Sequence, residues 1–383
     1  MTKTTGFKFN NGGASTDFGE FFVERDLFND GGLWSCGYNA RGQLGDSTNI
    51  SKSSPVQVGS LTNWKEISVG GRCSAAIKTD GTLWSWGYNN TGQLGDGTIV
   101  DKSSPTQIGT LNDWHTLSRG STFLVVIKTD GSLWTCGANT YGQLGDGTVD
   151  LKSSPAQVGS LTDWKQVTAY NVHAAAIKTD GTLWTWGRNN YGQLGDNTIL
   201  DKSSPVQVGA LTDWKYVSCS ANATHAIKTD GTLWCWGYAS FGVLGDGTTE
   251  RKSSPVQVGS LTNWKQLDGG WIHVMAVKTD GTLWGWGYNG DGQLGDGTTN
   301  STSSPIQIGQ LSDWKQVATH YNQSAFIKTD GTLWACGYNN YGGLGDDTTV
   351  KKSSPVQIGS GNNWRQVDFG SAHIIAINDS SIW

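Results

Sequence analysis

The chain has 383 residues, of which 27 are basic and 32 are acidic, so its net charge at pH 7 is −5. This balance argues against a nucleic-acid or anionic-membrane footprint, because either would need a clustered basic surface. The 54 glycines and 20 tryptophans, set against only 15% charged residues, favour a turn-rich, aromatic, all-β protein. The first residues lack the apolar core of a secretory signal, and no stretch reaches the ~18 apolar residues of a membrane span. We therefore expect a soluble chain made in the cytosol, without a signal peptide.

From residue 33 onward the sequence repeats every 50 residues: LWSCGYNARGQLGD at 33 returns as LWSWGYNNTGQLGD at 83, and five further copies follow. A second marker, Trp followed by Lys, His or Arg, also occurs seven times, at 64, 114, 164, 214, 264, 314 and 364. We therefore divide the chain into an N-terminal extension, residues 1–32, and a domain of seven repeats, residues 33–383.

One repeat contains four short β segments, predicted at Trp164–Ala169, Ala174–Lys178, Thr182–Gly187 and Pro205–Gly209. Asp-Gly between the second and third segments predicts a hairpin with a type I′ turn. All seven prolines of the chain fall at the position of Pro205. Proline cannot donate to a strand ladder, so the fourth segment should begin at the proline and form the outer edge of each sheet.

Repeats of about 40 to 50 residues with four strands each are typical of β-propellers, whose blades are stabilised by stacking on their neighbours. We expect the Trp84 position to fill the space between blades. The chain begins with a third and a fourth strand and ends with a first and a second, so both termini should share one blade. The predicted fold is a closed seven-bladed β-propeller with four-stranded antiparallel blades. Whether Leu33-Trp34 or Ile382-Trp383 fills the closing strand stays open.

The markers LWxWGxNxxGQLGD, SSPVQVG and WKxVxxGxxHxxAIKTDG resemble the repeats of the regulator-of-chromosome-condensation family over residues 33–383. Members of that family that act as nucleotide-exchange factors use a protruding wedge and basic tails. Here the period has no insertion and residues 1–32 are not basic, which disfavours exchange activity. The segment from Thr16 to Phe28, followed by Gly-Gly-Leu-Trp, resembles the lead-in before similar repeats in structural proteins of marine tailed phages, cyanophages especially. That resemblance implies an attachment role for residues 1–32.

The repeats differ most in the loop between the first and second strands, and these loops should gather around the axis on one face. A second variable region, residues 97–101 and their equivalents, should lie on the rim. Neutral variation of exposed loops would explain the differences equally well. The candidate binding residues of the face are Arg72, Phe123, Tyr170, His173, Trp271, His273, His320, Tyr321 and His373.

The residue types do not suggest catalysis or a cofactor. Serines occur in Ser-Ser-Pro turns without a base at a fixed offset, and no glycine-rich loop precedes a helix. His173, His273 and His373 invite a zinc hypothesis, but alternate blades would hold the rings about 10 Å apart or more, so a role in holding their own loop is expected. The repeated Gly-Asp aspartates should form Asx turns rather than calcium sites. The cysteines should be small buried apolar residues.

The leading prediction is a non-catalytic binding or structural module: a phage virion or tail protein that presents the propeller for host-surface contact or particle stability. Its partners would be other virion proteins, through residues 1–32, and a host-surface protein or glycan, with no nucleic acid and no membrane insertion. It would be assembled in the host cytoplasm and reside in the virion. The alternatives are a cytoplasmic protein-binding scaffold or inhibitor, a lectin-like propeller, and a consensus design, against which the irregular residues 1–32 argue.

Overall fold

The computed structural model describes residues 31–379, which form seven four-stranded antiparallel sheets. The only other regular element in that range is a three-residue 3-10 turn, Ser240–Gly242. The predicted extension, residues 1–32, lies outside the described residues except for its last two, and so do Ser381, Ile382 and Trp383. The all-β class and the four-stranded antiparallel blades are confirmed.

We number the strands along the chain and the blades from 1 to 7, with blade 7 shared by the two ends. The first strands of blades 1 to 7 are β3 (Trp64–Val69), β7 (Trp114–Arg119), β11 (Trp164–Tyr170), β15 (Trp214–Cys219), β19 (Trp264–Gly269), β23 (Trp314–His320) and β27 (Trp364–Phe369). The second strands are β4 (Cys73–Lys78), β8 (Phe123–Lys128), β12 (His173–Lys178), β16 (Ala223–Lys228), β20 (His273–Lys278), β24 (Gln323–Lys328) and β28 (His373–Asn378). The third strands are β5 (Leu83–Gly87), β9 (Leu133–Gly137), β13 (Leu183–Gly187), β17 (Leu233–Gly237), β21 (Leu283–Gly287), β25 (Leu333–Gly337) and β1 (Gly32–Gly37). The fourth strands are β6 (Lys102–Gln107), β10 (Lys152–Gln157), β14 (Lys202–Gln207), β18 (Lys252–Gln257), β22 (Thr302–Gln307), β26 (Lys352–Gln357) and β2 (Lys52–Gln57).

Blade 7 joins the two ends of the described chain in the strand order β2-β1-β28-β27. Its central pairing places Leu33 opposite Ile377 and Trp34 opposite Ala376. The third-strand slot that the sequence left open is therefore occupied by Gly32–Gly37. Sharing one sheet in this way leaves neither end of the ring with an open edge.

The ring closes because each first strand contacts the first strands of both neighbouring blades, and β3 contacts both β7 and β27. At the closing junction the Ile67 N–H donates to Gln366 Oε1 over 3.1 Å, and the Val69 N–H donates to Asp368 Oδ2 over 2.7 Å. The first strands thus line the central axis, and the fourth strands form the outer edges. A closed propeller of seven blades is confirmed.

The predicted hairpins between second and third strands are present, but their turn type differs from the prediction. In blade 3 the Gly181 N–H donates to Lys178 O and the Lys178 N–H donates to Thr182 O, each over 3.0 Å. Only Gly181 has a positive φ, +79°, whereas a type I′ turn would require one at Asp180 as well. The turn is a type I turn followed by a left-handed glycine. The Asp180 carboxylate stabilises it by accepting bonds from Thr182 N and Thr182 Oγ1.

The fourth strands are the edge strands, as predicted, but they do not begin at the proline. In blade 3 this strand starts at Lys202, three residues earlier. Val206 pairs with Thr185 and Lys202 pairs with Gly187, so residues 203–205 bulge opposite a single residue. Pro205 lies in this bulge, where the missing N–H costs no ladder bond.

The space between blades is filled by a different tryptophan from the one predicted. Trp84 is only half-buried, and its indole donates within its own blade to Thr82 Oγ1. Trp86 is fully buried, and its indole N–H donates over 3.0 Å to Gln43 O of blade 7. Trp64, at the start of the first strand, is 1% exposed and contacts both rings. Burying one such side chain contributes several kcal/mol, at ~25 cal/mol/Å² over roughly 200 Å².

Three blades replace this buried tryptophan with a cysteine, namely Cys36, Cys136 and Cys336. In two of them a buried phenylalanine belongs to the same core cluster as the cysteine: Phe369 with Cys36 and Phe326 with Cys336. In the third, the guanidinium of Arg119 donates over 2.6 Å to the backbone oxygen of Gln93. In blades that have the tryptophan, the equivalent backbone oxygen accepts the bond from the indole. All six cysteines are buried and unpaired, as expected of small apolar residues.

The loops between third and fourth strands are held by the repeated Gly-Asp aspartates, as predicted. Asp96 Oδ1 accepts bonds from the Thr98 N–H at 3.0 Å and from Thr98 Oγ1 at 2.8 Å. Asn89 Nδ2 donates to the same oxygen over 3.1 Å, and the Lys102 ammonium lies 3.3 Å from Asp96 Oδ2. The aspartate is therefore an Asx-turn residue of the scaffold.

Candidate functional site: the loop face

The loops between first and second strands and those between third and fourth strands lie on the same side of the ring, which we call the loop face. First and third strands run in the same direction in an antiparallel blade, so both end on this side. Backbone bonds join the two kinds of loop, since the Tyr88 N–H donates to Arg72 O and the Tyr238 N–H to Asn222 O. The two variable regions of the repeat therefore share one face.

One tyrosine of this face crosses the axis. Tyr170 of blade 3 accepts a bond at its hydroxyl from the Tyr321 N–H of blade 6, over 3.1 Å. Its ring stacks on His320, with centroids 4.6 Å apart and planes 25° apart. Blades 3 and 6 are three positions apart in a ring of seven, so this link spans the mouth of the central channel. The loops thus gather around the axis.

Beside this link, two exposed aromatic side chains stack face to face: Trp271 of blade 5 and Tyr321 of blade 6. Their rings are nearly parallel, 8° apart, with centroids separated by 4.9 Å. They are 40% and 37% exposed. Tyr321 adopts a φ of +42°, a strained value for a residue with a side chain, and such strain concentrates at functional sites.

The nine candidate residues occupy two environments. The side chains of Arg72, Trp271 and Tyr321 are exposed on the loop face. Six are buried and offer no free surface: Phe123, Tyr170, His173, His273, His320 and His373. Of the nine, the structure brings Tyr170, Trp271, His320 and Tyr321 together at the axis.

The three equivalent histidines join neighbouring blades instead of holding their own loops, which corrects the predicted role. His173 Nε2 lies 3.1 Å from Thr224 Oγ1, and His273 Nε2 lies 3.0 Å from Ser324 Oγ. His373 Nε2 lies 3.2 Å from Ser74 Oγ across the closing junction. Each hydroxyl already donates its hydrogen to a glutamine carbonyl, so the imidazole N–H is the donor. Burial lowers the pKa of each histidine to about 3, which keeps it neutral.

A belt of side chains around the channel was missed by the sequence analysis. In six blades, the residue four positions after the first-strand tryptophan accepts a bond from the backbone N–H of the next blade. These residues are Ser68, Ser118, Thr168, Ser218, Asp268 and Asp368. Ala318 interrupts the belt, and there the Phe369 N–H donates to Asp368 of its own strand. The recurrence of Ser, Thr or Asp at one offset was the signal available in the sequence.

The two carboxylates of the belt are poorly solvated. Burial raises the pKa of Asp268 to about 6, against the opposing effect of bonds from Thr319 and Ser218. Burial also raises the pKa of Asp368 well above its usual range, and the charge of Asp268 adds to that rise. Burial therefore makes ionisation of either carboxyl less favourable than ionisation of a solvated aspartate.

We expect Asp268→Asn to stabilise the fold at pH 8 by on the order of 1–3 kcal/mol, because the amide keeps the bond from Thr319 without a buried charge. The folded pKa lies above the unfolded one, so the gain is full above pH 6 and shrinks as the pH falls towards 4, to about half at pH 5. Urea unfolding at both pH values measures it. Asp180→Asn is the control, since bonds from Thr182 lower the pKa of Asp180. A gain of equal size at pH 5 would contradict the assignment.

Family models match most of the chain. The model described as an RCC1-like domain matches residues 166–382, and the model of the regulator of chromosome condensation (RCC1) repeat matches residues 30–77, 80–127 and 130–177. The chain belongs to the RCC1-like domain family. The match to the repeat model begins at residue 30, two residues after the segment that resembles phage proteins.

Solved structures share the fold of this RCC1-like propeller at low sequence identity. Human WBSCR16 superposes with a TM-score of 0.83 at 18% identity, covering 92% of this chain and 100% of the other. Yeast RCC1 (Prp20), bound to Kap60, gives 0.81 at 17% identity, with coverages of 91% and 89%. Prp20p from Saccharomyces cerevisiae, described with its binding properties to Gsp1p and histones, gives 0.81 at 18% identity and covers 91% of both chains. No curated protein sequence matches significantly. Over residues 31–379, the structure has no helix of the length and apolarity that a membrane crossing requires.

Proposed function

We propose that this RCC1-like propeller is a non-catalytic binding module that holds a partner protein on its loop face. The observation that carries the proposal is an arc of exposed apolar side chains at the tips of the loops between third and fourth strands. These side chains are 55% to 65% exposed. The apolar arc comprises Val350 of blade 6, Ile50 of blade 7, Ile99 and Val100 of blade 1, Val149 and Leu151 of blade 2, and Ile199 and Leu200 of blade 3.

The apolar arc is confined to five consecutive blades. The equivalent tips are Thr249-Glu250-Arg251 in blade 4 and Thr299-Asn300-Ser301 in blade 5. The turn itself is built in the same way in these two blades, with Thr248 bound to Asp246 and Thr298 bound to Asp296. Since the fold tolerates polar residues at these tips, the scaffold does not require the apolar ones.

The size of the apolar arc supports a protein partner. Eight side chains with these exposures present on the order of 900 Å², about what one partner contributes to an interface of standard size. Family and fold agree with this class of function, because yeast RCC1 (Prp20) is seen bound to Kap60.

The test is a fourfold variant, Ile99→Ser, Val100→Ser, Ile199→Ser and Leu200→Ser, used with the intact chain to capture proteins from cells that produce it. A partner held by the apolar arc should bind at least about 10-fold more weakly to the variant, because apolar anchors carry most of an interface's energy. The readout is the dissociation constant of the captured protein after it has been purified.

The matched control changes four leucines on the opposite face to serine. They are 42% to 46% exposed and lie before the first-strand tryptophans: Leu111, Leu161, Leu211 and Leu261. The control should bind the partner as the unchanged chain does. Equal binding by the fourfold loop-face variant, or the absence of any stoichiometric partner, would contradict the proposal.

The narrower role, a phage virion or tail protein with a host-surface or particle-stabilising function, is supported by the resemblance of residues 16–28. In this proposal residues 1–32 attach the propeller to other virion proteins and the loop face points outward. If the source is viral, purified particles should contain the chain, and a chain starting at Gly31 should fold yet be missing from them. Particles without the full-length chain would exclude this role.

A further inference from the structure

A basic residue follows the tryptophan at the start of every first strand, on the side of the ring opposite the loop face. Because first strands line the axis and begin on this side, these residues surround the second mouth of the central channel. We call them the basic collar: Lys65, His115, Lys165, Lys215, Lys265, Lys315 and Arg365. Five are exposed, and Lys265 and Arg365 are half-buried. The even charge balance of the whole chain conceals this local cluster.

A β-bulge removes each member of the basic collar from the strand ladder. In blade 3 the pairing with the second strand passes from Trp164 directly to Gln166, so Lys165 has no partner in the ladder. The same irregularity occurs in the other six blades. A bulge of this kind redirects the side chain of the extra residue.

Hydrogen bonds at the closing junction show where the redirected side chains run. Lys65 Nζ of blade 1 donates over 3.0 Å to His115 O of blade 2. The guanidinium of Arg365 in blade 7 donates in the same sense to Trp64 O of blade 1. These side chains follow the circumference of the mouth from one blade to the next, so their charges stay around the axis.

Three lysines of the basic collar keep their charge unpaired. Lys165, Lys215 and Lys315 form no ion pair or hydrogen bond with any residue that the structure describes. Asp163, two positions before Lys165, lies 3.4 Å from Lys178 Nζ instead. Blades 4 and 6 repeat this pairing, over 3.5 and 3.3 Å. The adjacent carboxylates are thus neutralised by other lysines, farther from the axis.

The basic collar is small enough to act on one ligand. Neighbouring first strands come within 8 Å of each other between Cα atoms. Seven such spacings close a circle of roughly 9 Å radius, close to the Debye length of about 8 Å at physiological salt. An anion on the axis therefore interacts with all of the collar at once. Within the collar, burial lowers the pKa of His115, and the charge of Lys65 lowers it further.

We propose that the basic collar binds a compact polyanion that carries several phosphate groups, on the axis at the mouth opposite the loop face. Lysine suits such a ligand, because its ammonium is a compact point charge that approaches a phosphate from any direction. This site lies on the other side of the ring from the apolar arc, and the inference goes beyond the proposed function.

The surroundings disfavour three larger anionic partners. An acidic peptide cannot thread the channel, because the link between Tyr170 and Tyr321 spans the other mouth and the belt of the channel carries buried carboxyls. Single-stranded nucleic acid needs exposed aromatic surfaces for its bases, whereas Trp164 beside the collar is 4% exposed. A flat anionic membrane would also meet the exposed hairpin carboxylates farther out, such as Asp180.

The test is calorimetric titration of the full chain at physiological salt with two phosphate probes, myo-inositol hexakisphosphate and linear tripolyphosphate. Decaglutamate, an acidic peptide, is the comparison anion. We expect one hexakisphosphate to bind per chain, at least about 10-fold more tightly than decaglutamate, and to weaken steeply as salt is added. The relative affinity of the two phosphate probes distinguishes a cyclic ligand from a linear one.

The collar variant combines Lys165→Gln, Lys215→Gln and Lys315→Gln. At roughly 9 Å and physiological screening, each lysine should contribute at least about threefold to the binding of an anion of charge about −4 or more. The variant should therefore bind hexakisphosphate at least about 20-fold more weakly. Arginine at the same three positions keeps the charges and should restore most of the affinity.

The matched control removes three lysines from the same blades at the loop-face ends of the fourth strands: Lys202→Gln, Lys252→Gln and Lys352→Gln. These lie beyond a Debye length from the collar, so binding should stay within about twofold. Melting temperatures of all variants verify the fold. No binding of hexakisphosphate, equal binding by the collar variant, or tighter binding of decaglutamate would overturn the site. The collar variant should still capture the partner of the apolar arc, so failure of one proposal leaves the other intact.

Discussion

A chain that ends at Asn363 should lose cooperative thermal unfolding and aggregate. It lacks β27 and β28, so β1 loses its pairing with Ile377 and β3 loses the bonds that join Ile67 to Gln366 and Val69 to Asp368. Two blade surfaces and the edge of β1 would be exposed, and open edges template intermolecular pairing. Calorimetry and light scattering after size exclusion measure the two effects.

The control is a chain that ends at Asp379, which retains every described strand. It should remain monomeric and unfold in one transition, like the full chain. If the chain ending at Asn363 also melted cooperatively as a monomer, the shared blade would not be what closes the ring.

The second large effect is loss of stability in mild acid. Five buried histidines are kept neutral because burial lowers their pKa, to about 4 for His225 and about 3 for the others: His173, His273, His320 and His373. Their folded pKa lies below the unfolded value of about 6.5, so between those limits the unfolded chain binds more protons. The stability these residues provide is present above pH 6.5 and is lost as the pH falls.

Asp268 and Asp368 act in the opposite sense, because their raised pKa makes the folded state bind protons first as the pH falls. Burial raises the pKa of Glu66 as well, so five histidines oppose three carboxyls, and the unfolded chain takes up more protons than the folded one near pH 5. Urea unfolding between pH 7.5 and pH 5 should therefore show the free energy of unfolding falling by several kcal/mol.

Substitution of the inter-blade histidines tests the source of this slope. The change of any one of His173, His273 and His373 to Gln keeps a donor for the hydroxyl of the next blade and removes the titrating group. Each single variant should lower the proton uptake near pH 5 by about one. A stability profile that is flat in the unchanged chain, or variants whose profiles are all as steep as that of the unchanged chain, would contradict the mechanism.

The sequence predicted the architecture well because the repeat reports equivalent positions directly. The sequence could not tell whether Trp84 or Trp86 fills the space between blades. Residues two apart on a strand point to the same side, and only their depth differs. Trp86 faces the neighbouring blade's Gln43, whereas Trp84 stays on its own hairpin. The turn type was missed because Asp-Gly is compatible with both a type I′ turn and a type I turn that ends in a left-handed glycine.

The candidate site was only partly predictable, because several of its residues belong to strands and its central contact joins non-equivalent positions. His173 was assigned to a loop, but it is the first residue of β12, a strand buried along its whole length. Phe123, His273 and His373 begin second strands in the same way. The link between Tyr170 and Tyr321 joins residues of blades 3 and 6, and no comparison of equivalent positions identifies a contact between non-equivalent ones. The aromatic residues themselves were the available signal.

The contact of Tyr170 with blade 6 breaks the near-sevenfold symmetry of the ring. A synthetic disc assembled from seven identical copies of any single repeat would preserve the blades, the turns and the closure. It would have no residue pair able to meet across the centre, because only blade 3 has the tyrosine and only blade 6 has the histidine and the strained Tyr321. Shuffling the order of the blades would separate them as well. The information for folding is thus repeated in seven blades, whereas the information for the contact across the axis occurs once.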